Sequence, residues 1–134
     1  MLRMKVLYIL TGPPGSGKST YARQLIVDGV ANEIFDHDLG NKKEWCTYPG
    51  SCVLCTAAPS SSTKDYWIME ARKYGFVPEL FTMWKPRMTA LEHMTARNGL
   101  SPDQRNDLNS GVEAWYKAYT RNPHEQRISH GQRD

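Results

Sequence analysis

Residues Gly12 to Thr20 read Gly-Pro-Pro-Gly-Ser-Gly-Lys-Ser-Thr. They fit the pattern of a glycine, four residues, then Gly-Lys-Ser/Thr, the signature of a loop that wraps phosphate groups. The preceding Lys5-Val6-Leu7-Tyr8-Ile9-Leu10-Thr11 is an apolar run of strand length, and the following Tyr21-Ala22-Arg23-Gln24-Leu25-Ile26 reads as helix. A chance Gly/Pro-rich turn would not carry both flanks, and a strand feeding a helix through so tight a loop commits the chain to an α/β sandwich with a parallel sheet. Gly12, Gly15 and Gly17 allow the backbone to curl through Pro13, Pro14 and Ser16 so that the N–H groups of the non-proline residues face phosphate oxygens. The helix starting near Lys18 and Ser19-Thr20 adds the positive end of its dipole. Lys18 brings a mobile charge to the β- and γ-phosphates, and the Ser19 hydroxyl stands where such loops offer a ligand to Mg2+.

At 134 residues the chain suffices for one sheet covered on both faces, which excludes a large multi-part ATPase. The expected organisation is one domain over residues 1–123 followed by a flexible polar tail over 124–134. The net charge of +3 is compatible with a phosphorylated or nucleic-acid substrate without demanding one. No apolar run reaches the length of a bilayer span or follows a basic leader, so a cytoplasmic protein with no membrane partner is expected. Cys52 and Cys55 have the spacing of metal ligands, but they fall in an apolar run and lack a second cysteine or histidine pair, so they read as core.

Beyond the first helix, Asn32-Glu33-Ile34-Phe35 leads into Asp36-His37-Asp38, a short strand ending in carboxylates. Ligands of parallel sheets gather at the carboxyl ends of the strands, so Asp38 is the candidate general base and Asp36 a candidate Mg2+ ligand through water. His37, pointing away by strand alternation, reads as structural. The segment Asn41–Ser51, with Lys42, Lys43, Trp45 and Tyr48, is read as covering the core in preference to stacking a base. Cys52–Ala58 is a strand buried on both faces, and it ends in Thr-Ala-Ala, without the acid that hydrolysing ATPases place there. Ser62 and Asp65 suggest a capping box for a helix running to about Tyr74, with Trp67, Ala71 and Tyr74 on its inner face. Phe76–Met83 is a fourth strand whose Pro78 places its opening residues at an edge. A helix from Pro86 carries Arg87 and Arg97, and Ser101-Pro102-Asp103-Gln104 opens the last helix, near Arg105. Such a helix pair could close over a nucleotide and supply an arginine to the transferring phosphoryl group.

Gly15-Ser16-Gly17-Lys18-Ser19-Thr20-Tyr21-Ala22-Arg23, with Asp38 at the matching distance, resembles the compact P-loop kinases, nearest among them the bacteriophage polynucleotide 5′-kinases. Asp36-His37-Asp38 is similar to the Asp-x-Asp of zeta-toxin kinases, and Cys55-Thr56-Ala57-Ala58 to a motif of gluconate kinases. Lys73–Val77 followed by Ala96-Arg97-Asn98 resembles the helix, strand and lid order of the polynucleotide kinases. The resemblance implies ATP and Mg2+ as cofactors, Asp38 as base, and Arg97 as the lid arginine on the ATP phosphates. It departs from that pattern at Asn41, where those kinases place an acceptor-binding arginine, and at Thr56 or Ala57, where they have an acid. The segment from Leu39 to Gly50 is also shorter. The expected fold is a parallel sheet of four to five strands with helices on both faces and the P-loop strand central. The expected reaction moves the γ-phosphate of ATP to a hydroxyl, on a nucleic-acid 5′ end or modified base. A small-molecule kinase (nucleoside, nucleotide or sugar) and a non-catalytic nucleotide-binding interaction protein are the alternatives.

Overall fold

A strand with apolar residues at nearly every position needs cover on both faces, and this requirement sets the architecture. In the computed structural model, which describes residues 4–14, 16–37, 44–84 and 101–129, that strand is β1, Lys5–Thr11. The elements that follow are α1 (Lys18–Val27), β2 (Ile34–Asp36), a 3-10 turn (Glu44–Thr47), β3 (Cys52–Thr56), α2 (Ser61–Lys73), β4 (Phe76–Trp84), α3 (Pro102–Ala118) and β5 (Gln126–Ser129). The sheet has the order β2-β3-β1-β4-β5, and every pairing is parallel. β1 therefore lies at the centre, as expected. The chain leaves β1 in one direction to reach β2 and β3, and crosses to the other side for β4 and β5. The crevice at the carboxyl ends of β1 and β3 is thus the point where the winding reverses, the usual ligand position in such sheets.

Alternation along β1 divides the core. Leu7 and Ile9 enter one cluster with Trp67, Ile68 and Ala71 of α2, while Leu10 enters another with Ala22 of α1 and Val53 of β3. Cys52 and Cys55 are buried on these opposite sides of the sheet, so the two thiols face away from one another. Burial pushes the Cys52 thiol up to about 12, consistent with an inert core residue. Trp45, on the 3-10 turn, is 0% exposed and meets Trp67, Tyr74 and Phe76 edge-on, which places it in the core as expected. Pro78 pairs with Leu7 of β1, whereas β5 reaches only Phe81–Trp84, so the opening half of β4 has no described strand beyond it.

Two local expectations shift. The N-cap of α2 is Ser60, not Ser62: its hydroxyl accepts from the Thr63 amide, and Ser62 lies within the first turn. Residues 126–129, expected in a flexible polar tail, form β5 instead. Its anchor is Glu125, whose side chain is 0% exposed and faces the equally buried Lys64 of α2 at 3.1 Å. The Glu125 carboxylate also accepts from the Asn122 amide (2.6 Å) and the Tyr119 hydroxyl (2.9 Å). Asn122 in turn donates to Asp65 of α2 and to Ser61 at its start. A polar sequence becomes an interior strand end because its charge arrives with its partners. Among the described residues no helix is long and apolar enough to cross a membrane.

Burial raises the Glu125 carboxyl, but the hydrogen bonds from Asn122, Lys64 and Tyr119 outweigh it and leave the group below its ordinary value. The ionised form therefore stabilises the fold above the ordinary carboxylate range, and that contribution is lost as pH falls through the lowered value. Glu125→Gln should cost about 3 kcal/mol near neutral pH, the scale of breaking a buried pair. In urea unfolding, the gap between variant and wild type should shrink as pH is taken well below the ordinary carboxylate value; a gap independent of pH would contradict this account.

Candidate functional site

The loop after β1 closes on itself before α1 begins. The Ser16 amide donates to the Pro13 carbonyl (3.2 Å), and Gly17 adopts φ 94°, ψ 15°, a left-handed conformation that glycine enters without a Cβ penalty. Gly17 serves as N-cap of α1 without a side-chain cap, so no local hydroxyl or carboxylate occupies the first amides of the helix. Those amides, at Lys18, Ser19 and Thr20, have no carbonyl four residues back within the helix, and they coincide with the positive end of its dipole. An anion is the natural partner of such an end.

Gly12 shows why the loop sits where it does. A Cβ there would lie 2.7 Å from Ser16 Oγ, 3.1 Å from Met83 Cβ and 3.2 Å from the Met83 carbonyl oxygen. The loop is therefore pressed between its own Ser16 and the backbone of β4. The Lys18 ammonium reaches back across the loop to the Gly12 carbonyl at 2.7 Å, which places the cation over the enclosed space. Ser16 is 1% exposed, and its hydroxyl has no hydrogen-bond partner, a cost of roughly 1–3 kcal/mol unless a ligand offers an acceptor. Both features fit a phosphate. On the outer side, Gly111 of α3 passes Pro14, where an added Cβ would meet the proline ring at 3.8 Å.

Ser19 and Thr20 are exposed on the first turn of α1. Asp36 closes β2 level with Cys55 of β3, itself level with Leu10 of β1. Its backbone is thus at the carboxyl edge of the sheet, two strand spacings or about 10 Å from β1. A hydroxyl and a carboxylate are hard oxygen donors suited to Mg2+, which keeps several waters and takes phosphate oxygens in place of a full protein cage. Among the described residues no group of three or more His, Cys, Asp or Glu is placed to hold a metal ion. The His37 ring packs 4.9 Å from Trp67, as a structural residue would. Gly15, Asp38, Arg87 and Arg97 lie outside the described residues, as does the side chain of Arg105.

Three features of the site were not read from sequence. Thr11, the last residue of β1, shares a hydrogen bond with Thr82 of β4 (3.0 Å) inside the protein. The turn after β3 carries Ala58 at φ 26°, and is fixed by Trp115 Nε1 donating to the Ala57 carbonyl and by Thr120 donating to the Pro59 carbonyl. Gly111, an apparent weakness within α3, is the close approach to Pro14. Only the first left a trace in the sequence, two threonines where apolar alternation predicts core residues.

No protein-family model matches the chain, and no curated protein sequence matches it. Solved structures do. A gluconokinase from Sinorhizobium meliloti 1021 superposes with a TM-score of 0.68 at 13% identity, covering 95% of this chain and 83% of that one. A sugar kinase from Janibacter sp. HTCC2649 superposes with a TM-score of 0.61, again at 13% identity, over 92% of this chain and 83% of the other. At such identities the likeness is one of fold, and the fold is the α/β P-loop kinase fold.

Gly12→Ala should weaken nucleotide binding by about tenfold or more, equivalent to roughly 1.4 kcal/mol, because the new Cβ displaces Ser16 or Met83. Gly29→Ala is the control: Gly29 has φ 74° and open space around its Cβ position, so it should lose about 1 kcal/mol of stability and keep its affinity. Titration calorimetry with ATP and Mg2+ on both variants checks the pair; equal losses of affinity would rule out a special close approach at Gly12.

Proposed function

We propose that this protein is an ATP-dependent phosphotransferase acting on a hydroxyl of a small molecule, with a sugar or sugar acid as the preferred acceptor class and a nucleoside or nucleotide next. The observation that carries the phosphate-donor half is the Lys18 ammonium poised over a loop that opens onto the uncapped start of α1. The acceptor half rests on two supports. The structures this chain resembles include proteins named as a gluconokinase and a sugar kinase. In addition, Trp45 is in the core and Tyr48 packs against Phe35, so neither is a free platform for stacking a nucleic-acid base. The polynucleotide acceptor suggested by the sequence resemblance is thereby the less supported reading.

In this reading the P-loop amides and Lys18 hold the β- and γ-phosphates. Asp38, two residues beyond the end of β2, accepts the proton of the acceptor hydroxyl as its oxygen forms the new bond to the γ-phosphorus. The bond from that phosphorus to the β–γ bridging oxygen breaks, and its electron pair leaves with ADP. Arg97 stabilises charge on the transferring group. Ser19 and, through water, Asp36 would hold Mg2+, which when bound neutralises charge on the phosphate oxygens. The absence of an acid at the end of β3, where Thr56 and Ala57 stand, accords with transfer to an acceptor more than with hydrolysis.

Incubation with γ-labelled ATP and Mg2+ tests this against gluconate, other sugars, nucleosides, nucleotides and 5′-hydroxyl oligonucleotides. Label should appear on a small polyhydroxy acceptor and fall by roughly 100-fold or more in Lys18→Ala and Asp38→Asn. Label on the oligonucleotide alone would replace the acceptor class. ATP binding that Lys18→Ala abolishes, with no transfer to anything, would replace the enzyme with a nucleotide-binding interaction protein.

A further inference from the structure

The turn after β3 stands at a junction that the chemistry proposed above leaves without a role. β3 lies between β2 and β1, with Cys55 level with Asp36 on one side and Thr56 level with Thr11 on the other. The chain therefore leaves β3 level with the start of the phosphate-binding loop, one strand spacing or about 5 Å from it, and as far from the strand that ends in Asp36. In the proposed reaction the acceptor hydroxyl meets the γ-phosphate between the loop and the end of β2, and so beside the end of β3. Residues 57–60, which join β3 to α2, border that space.

This turn is held in a conformation it would not keep alone. Ala58 has φ 26°, a left-handed backbone that an alanine enters only under constraint. Its side chain is buried in the cluster that holds Trp67 and Ile68. The carbonyls on either side of it are both engaged: Ala57 accepts from Trp115 Nε1 (2.5 Å), and Pro59 from the Thr120 amide (3.0 Å). Thr120 is exposed, yet all three of its polar groups serve the turn and α2. Besides that amide, its hydroxyl accepts from the Ser61 amide (2.6 Å) and its carbonyl from the Lys64 ammonium (3.3 Å). Trp115 stands one helical turn beyond Gly111, the close approach of α3 to Pro14 of the phosphate-binding loop. One face of α3 therefore touches the loop at one point and the turn at another, about 6 Å further along its axis.

We infer that Trp115 and Thr120 are positioning residues for phosphoryl transfer: they fix residues 57–60 as the acceptor-side wall of the crevice, and α3 sets the distance of that wall from the phosphate-binding loop. The inference rests on the reading of the protein as a phosphotransferase and deepens it on the acceptor side. The bonds described hold the turn, so their loss should separate acceptor use from nucleotide affinity. Thr120→Val keeps the shape of the side chain and takes away the acceptor of the Ser61 amide, which Thr120→Ser restores. Trp115→Phe keeps an aromatic ring and removes the donor to Ala57.

The test is transfer from γ-labelled ATP with Mg2+ to gluconate or, if gluconate takes no label, to whichever member of the acceptor panel does. ATP affinity is measured beside it by titration calorimetry, at a temperature where every variant is folded. In Thr120→Val and Trp115→Phe, kcat/KM for the acceptor should fall roughly ten- to hundredfold, the range expected when a reacting group is displaced by up to about 1 Å, while ATP affinity stays within about twofold of wild type. Thr120→Ser should recover transfer to within about threefold. A purely structural role would lower the melting temperature and leave kcat/KM of the folded variants unchanged, and that result overturns the inference. So does an equal loss of ATP affinity and transfer, or a serine variant no better than valine. Wild type that transfers label to nothing removes the phosphotransferase reading, and this inference with it, a different failure seen before any variant is made. If the variants do not fold, amide exchange in wild type decides: the acceptor that takes label, added with ADP, should slow exchange at residues 57–61 more than at residues 24–28 near the end of α1, and equal effects on the two segments overturn the inference.

Discussion

β1 is held on both edges and both faces, and this confinement governs everything built at its end. Seven residues of β4 run in register along it, from Lys5 with Phe76 to Thr11 with Thr82, while β3 occupies the other edge from Leu7 to Thr11. A strand so placed has no freedom to adjust to a ligand. The loop that leaves it must turn within the few residues before α1, against a neighbour strand whose backbone already fills the space beside Gly12. Preorganisation of the phosphate cradle is therefore a by-product of packing, and the lysine is aimed by the same constraint.

The buried Lys64–Glu125 pair makes sense in that setting. Burial lowers the Lys64 ammonium from its ordinary value, against the opposing pull of Glu125, so the ion pair is not simply a source of stability. An apolar pair of similar volume could hold α2 to β5. It could not gather an asparagine, a tyrosine and an arginine at a single point. The polar solution orients its neighbours as well as holding them, at a cost in desolvation that the three donors from Lys64, Asn122 and Tyr119 offset.

Much of this was legible because local chemistry and tertiary fold agree. The P-loop, its flanking strand and helix, the buried Cys52–Thr56 strand, and the capping box in which Ser101 and Gln104 satisfy one another were all readable from residue types and spacing. The failures share a physical reason. Ser60 and Ser62 are both good caps, and only the position of the preceding turn, tied to Thr120, selects the first. Gln126–Ser129 has no strand-like alternation, since its stability comes from β4 beside it and from Glu125 ahead of it, contacts made across more than sixty positions of sequence to Lys64. Of the chemical residues, the loop and Asp36 stand where spacing put them, at the carboxyl edge of the sheet; Asp38 and Arg97 lie outside the described residues.

Pro78 has a bearing on the behaviour of the molecule at high concentration. Beside β5 the edge of β4 is occupied; along its opening half no strand pairs among the described residues, and this is where a strand from another molecule would have to add. The ladder to β1 continues unbroken through Leu7 and Pro78, so the proline nitrogen faces away from it, toward the side on which no described strand pairs. An incoming strand would find there a ring in place of a donor. A proline within the ladder thus guards that stretch against edge-to-edge aggregation.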